Sequence, residues 1–214
     1  MRNCKIFNCN CASEPHPDIP QWCFCCKLLA MSLQQQPSND PATATNKFGA
    51  SDVVQILRER GWLAGAEASQ PQQAWFERAA AMLGSHAGDR ESFGNLLELI
   101  FHYDAREILG RVESHAALAR YGAREVVRKL AFLLLDGPSL DSERFKEIIT
   151  TMKEGSDLRS RDLFHPIRLA LTGRTGEGDL DRVVLLLDEA ATLPFQVPVK
   201  TARARIVEFC LALE

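Results

Sequence analysis

From Ser51 onward, apolar side chains recur at three- and four-residue steps almost without a break, the spacing that lines one face of an α-helix. Val53, Ile56 and Leu57 open the series behind Ser51 as N-cap, and Gly61 closes it. Trp75, Phe76, Ala79, Ala80, Met82 and Leu83 form a second stripe that ends at Gly84. The third is the cleanest: after Asp89, Phe93, Leu96, Leu97, Ile100 and Phe101 stack on one face. The same spacing predicts a helix from Arg124 to Leu135, stopped by Gly137-Pro138. Another begins at Asp141, carries Phe145, Ile148, Ile149 and Met152, and has Gly155 beyond its end. In the last third, Pro166 takes the place of a first-turn proline and Gly173 that of a left-handed cap. Leu180, Val183, Val184 and Leu187 predict the next helix. A final one follows Pro198 with Ile206, Phe209, Cys210 and Leu213 on one face, Cys210 acting as a small buried hydrophobe. No stretch alternates with period two between hairpin turns. The expected fold is all-α, a helical bundle of roughly seven to ten helices in two lobes that divide near residues 140 to 156.

Ahead of residue 48 the rhythm is missing. Six of the seven cysteines, Cys4, Cys9, Cys11, Cys23, Cys25 and Cys26, precede residue 30, too early in the chain to brace helices that begin near residue 51, and their total is odd. Cys9-x-Cys11 and Cys23-x-Cys25 with His16 between them supply ligands for a tetrahedral zinc site, but one intervening residue is fewer than the usual two to four. No metal and no cofactor is expected. Residues 31–47, rich in glutamine, proline, serine and threonine, read as a flexible leader, so 1–47 is an N-terminal extension. An ordinary start lies at Met31, which leaves residues 1–30 without a folded role. Pro15, Pro17, Asp18 and Pro20 occupy the place of a secretory signal's apolar stretch, and a cytoplasmic setting follows.

Composition narrows the function. With 214 residues, 46% hydrophobic and 25% charged, the chain can bury a real core. Its longest apolar run, Leu130 to Leu135, is far short of the roughly 20 residues that span a membrane. A formal charge of −3 gives no overall field drawing the molecule to a polyanion, so any such site is a local patch. Catalytic patterns are absent: no Gly-x-Ser-x-Gly elbow, Walker loop, Gly-x-Gly-x-x-Gly turn after a strand, or His-Glu-x-x-His. Gly173-Arg174-Thr175-Gly176-Glu177-Gly178 is a glycine-rich connection between helices, and His102, beside Tyr103 and Asp104, is an isolated histidine at a helix end.

One string is specific. Leu163-Phe164-His165-Pro166-Ile167-Arg168-Leu169-Ala170-Leu171-Thr172-Gly173 resembles the Leu-Phe-x-Pro-(Ile/Leu)-Arg-x-Ala-Leu-Thr-Gly signature in the anticodon-binding region of glutamyl-tRNA synthetases. Trp75-Phe76, the stretch from Asp141 to Met152 and the helix from Lys200 to Leu213 follow in a compatible order, so the resemblance covers roughly residues 51 to 214. The His-Ile-Gly-His-like and Lys-Met-Ser-Lys-Ser-like motifs of the family's catalytic domain do not occur. The family's Gly-Pro after the signature is replaced around Gly176 to Leu180, and its glycine after the next helix is missing near Asp188.

The resemblance implies two anticodon-binding-like subdomains, 48–155 and 156–214, and a tRNA-binding module that is not an enzyme by itself. Arg159, Arg161, Arg168, Arg174, Lys200, Arg203 and Arg205 are the expected RNA contacts, because guanidiniums grip phosphates bidentately and stack on unpaired bases. Arg168 has a second reading as an ion-pair partner tying two helices together. Glutamate-type tRNA is the expected partner. Two other functions fit: part of a glutamate–tRNA ligase whose catalytic half lies elsewhere, and a helical protein-interaction domain that has lost RNA binding.

Overall fold

The computed structural model describes residues 46–65, 67–154, 158 and 160–214. The early cysteines, residues 31–45 of the leader, Gly155 and Arg159 lie outside the described residues. Among those residues there are ten α-helices and no strand: α1 Ala50–Glu59, α2 Gln70–Leu83, α3 Arg90–Phe101, α4 Ala105–Leu109, α5 Val112–Leu118, α6 Ala123–Leu135, α7 Ser142–Glu154, α8 Ser160–Thr172, α9 Asp179–Ala190 and α10 Ala202–Leu213. The all-α expectation holds.

Side-chain caps set several starts. Asp89 Oδ1 accepts from the Ser92 amide at 2.7 Å, Asp141 Oδ1 from Arg144 at 2.8 Å, and the Thr201 hydroxyl from Ala204 at 3.1 Å, each satisfying an amide that has no helical partner. Two helices escape the periodic reading. α4 and α5 have five and seven residues, too few for a stripe to repeat, and Asp104 starts α4 by accepting from the amides of Arg106 and Glu107. Pro166 corrects another expectation: it lies inside α8 and not in its first turn. Starting at Ser160 adds a turn that buries Leu163 in line with Ile167, and the proline ring itself is buried, which offsets the lost amide bond.

α1 packs on α2, and α2 and α3 pack on α9; α6 lies against α7, α8 and α10, and α8 touches α5, α6, α9 and α10. Rings fill the first half: Trp62 stacks on Phe101 at 4.7 Å, while Phe195 meets Phe101 at 5.0 Å and Trp75 at 5.3 Å edge to face. Trp75 is fully buried, and its Nε1 donates to the Leu186 carbonyl at 3.3 Å. Residues before and after 155 contribute to one hydrophobic cluster, so the expected lobes share a core. Cys210 packs against that core but is only half-buried, and burial pushes its thiol pKa up.

Candidate nucleic-acid interface

α5 and α8 run antiparallel, and arginines mark both ends of the pair. At one end Arg111 Nη1 donates to the Gly173 carbonyl at 3.4 Å; at the other Arg120 Nη1 meets Asp162 at 3.3 Å. Between Arg111 and the turn after α8 lies a groove of about 440 Å³, floored by Leu96, Leu169 and Leu180 and rimmed by Ser114, Arg174 and Asp179. Arg174 is exposed at this groove, and Arg161 is exposed near Arg120 at the other end. Next to Arg120, Tyr121 is 91% exposed, an aromatic face with nothing packed over most of it. His165 is partly buried among Arg161, Arg120 and Arg168; burial first, then those three cations, hold its pKa below the usual histidine value, with Glu177 opposing.

The other expected RNA contacts lie elsewhere or point inward. Arg168 is 9% exposed and holds Asp181 of α9 bidentately, Nε to Oδ1 and Nη2 to Oδ2 both at 2.7 Å, while Nη1 donates to the Gly176 carbonyl at 2.8 Å. Its guanidinium also stacks 4.9 Å from the Phe164 ring centre. Of its two readings, the ion pair tying α8 to α9 is the geometry present. Arg205 is 0% exposed and is withdrawn from any surface. Its Nη1 donates to the carbonyls of Leu99 at 2.7 Å and Leu171 at 2.9 Å, Nη2 to Ile100, and Nε to Lys200 at 3.1 Å. Three of those four acceptors, Leu99, Ile100 and Leu171, are carbonyls at the C-terminal ends of α3 and α8, where a cation is favoured. Burial pulls the Arg205 pKa down to about 10, still well above neutrality, so the side chain remains a cation.

Lys200 is engaged by Glu208 and by the Tyr103 carbonyl at 2.9 Å. Arg203 belongs to a different neighbourhood, the end of α6, where it donates to the carbonyls of Leu134 and Gly137. Nothing in a linear pattern distinguishes such helix-end ligands from free surface cations. Arg161 and Arg174 are exposed at opposite ends of α8, Arg161 near Arg120 and Arg174 near Arg111; these two neighbours, ion-paired to Asp162 and Glu107, were missed by sequence reasoning. Both missed arginines flank α5, whose shortness hid it; Tyr121, at the α5–α6 turn, was hidden with it.

Chemically, guanidiniums beside a shallow groove at one end of the pair can hold phosphates, and the exposed Tyr121 ring at the other end can stack an unpaired base. No cluster of His, Cys, Asp and Glu among the described residues can hold a metal ion. None of the described helices is long and apolar enough to cross a membrane.

Comparison with known proteins agrees with the helical body. A family described as "Anticodon binding domain" matches residues 37–193. Glutamate–tRNA ligase 2 of Syntrophus aciditrophicus (strain SB) is 24% identical over 140 residues, 65% of this chain. The chain spans 28% of that ligase's length. No solved structure matches. The family match runs through α1 to α9, across both the aromatic core and the arginine-flanked α5–α8 pair, and on that extent the chain belongs to the anticodon-binding domain family.

Proposed function

We propose that the protein is a tRNA-binding module of glutamyl-tRNA synthetase type, which meets the anticodon loop of a glutamate-type tRNA with the α5–α8 face. Family membership is the observation that carries the reading. In it, Arg111, Arg120, Arg161 and Arg174 contact phosphates, and Tyr121 stacks on a splayed base. The module works in the cytoplasm and performs no aminoacylation by itself. A binding assay with glutamate tRNA and an unrelated tRNA at two salt concentrations tests this. The expected result is tighter binding of glutamate tRNA, weakening steeply with salt; undetectable binding of both ends the proposal.

A second reading is favoured by the 28% coverage of a glutamate–tRNA ligase. Here the chain is one part of a ligase, and a separate chain or further sequence supplies the catalytic half. Finding the two missing catalytic motifs in a neighbouring reading frame, and aminoacylation only when both parts are mixed, is the result that selects it.

A further inference from the structure

We propose that the outer face of α6 and α10 is a self-association surface, on which a second copy of this chain docks about a two-fold axis. α6 exposes Glu125, Arg128, Phe132 and Leu135, and α10 exposes Ala204, Val207 and Leu211, with Glu214 just past its end. Both sets follow the same three-four-three spacing, the rhythm of a helix seam that meets another helix. Phe132 is 68% and Leu211 69% exposed, with Leu135 and Val207 beside them. Large apolar side chains scattered singly are ordinary, but four of them on two adjoining helices form a patch.

The two helices are antiparallel: Arg203 at the start of α10 binds carbonyls at the end of α6, and Cys210 near the end of α10 feels the charge of Arg128. Val207 therefore stands about level with Phe132, and Leu211 with Arg128. The face is self-complementary in charge, which is what selects a second copy as its occupant. Along α6, Arg128 and Asp136 lie one turn to either side of Phe132. A two-fold axis crossing the helices lays α6 antiparallel on its own copy, so Phe132 meets Phe132 and each Arg128 faces the other copy's Asp136. One surface patch then serves both partners, as an isologous interface requires. The salt bridge that Arg128 makes with Glu125 joins two strongly exposed side chains and leaves both free to exchange partners.

Sedimentation equilibrium of the full chain across micromolar concentrations tests it, with Phe132→Glu, Leu211→Glu, Arg128→Asp, Asp136→Arg and the double charge reversal as variants. Circular dichroism and thermal melting establish that each variant folds. The expected result is a reversible dimer whose Kd rises at least about tenfold in each single variant and recovers in the double reversal. A wild-type chain that stays monomeric at the highest concentration overturns the proposal. So does a dimer that folded Phe132→Glu and Leu211→Glu variants leave unchanged, or a double reversal that restores nothing.

Discussion

A guanidinium with no exposed surface is stable at Arg205 because four carbonyls, three of them left over at helix ends, accept its protons. Tyr103 completes the arrangement: its ring lies 4.7 Å below the guanidinium and its hydroxyl donates to the carbonyls of Ala170 and Arg205. Arg205→Met removes the cation but leaves the carbonyls dry, and should cost about 3–5 kcal/mol in urea denaturation. Arg205→Lys, with a compact ammonium that cannot span the same acceptors, should fall between Arg205→Met and the parent. His165 offers a test by pH. Its folded pKa is lowered, so the unfolded chain binds the proton more readily and stability present above the ordinary value of 6.5 is lost as pH falls below it. His165→Gln should therefore lose less stability than the parent between pH 7.5 and 5.5, a difference that paired denaturation curves at those two values read directly.

Among the elements, α8 carries the most information per residue. Gly173 ends it at φ +78°, and a Cβ added there would lie 2.8 Å from Cδ1 of Ile108. Gly173→Ala should destabilise by about 1–2 kcal/mol from backbone strain, and more where Ile108 cannot move, as a lowered midpoint in urea will show. That glycine, the caps at Asp89 and Asp141 and the long amphipathic stripes were legible in the sequence, because local rules decide them. The start of α8 was not: propensity places Pro166 at a first turn, and only burial of Leu163 and of the proline ring overrides it. α4 and α5 were equally hidden, since their stability comes from the groups they pack on and cap. The candidate site suffered most from this, because α5 carries its flanking arginines. Arg205 appeared as a surface cation for the same reason, its acceptors lying as many as 106 positions away in sequence, whereas Arg168, 13 positions from Asp181, already carried the ion-pair reading beside the RNA one.

For the molecule as a whole, net charge and local charge diverge: a chain with formal charge −3 gathers Arg111, Arg120, Arg161 and Arg174 around one helix pair. Arg161→Ala and Arg174→Ala should each weaken tRNA binding and lower the slope of log affinity against log salt by about one. Substituting Arg203, at the far end of α6, should leave that slope unchanged; a filter-binding titration over salt separates the two outcomes.

The aromatic core has a consequence for biosynthesis. Trp75 bonds to Leu186, the Gln72 side chain to Pro194 and Arg205 to Leu99, links that reach across 111, 122 and 106 positions. On the ribosome, α2 and α3 thus emerge with their largest rings still lacking the cover of Leu186 and Phe195, and the end of α3 waits for Arg205 in α10. Such long-range closure slows folding and leaves the nascent chain adhesive in the meantime. A polypeptide halted ahead of residue 202 should bind holdase chaperones and precipitate, whereas one carried through Phe209 should come off the ribosome soluble and resistant to protease.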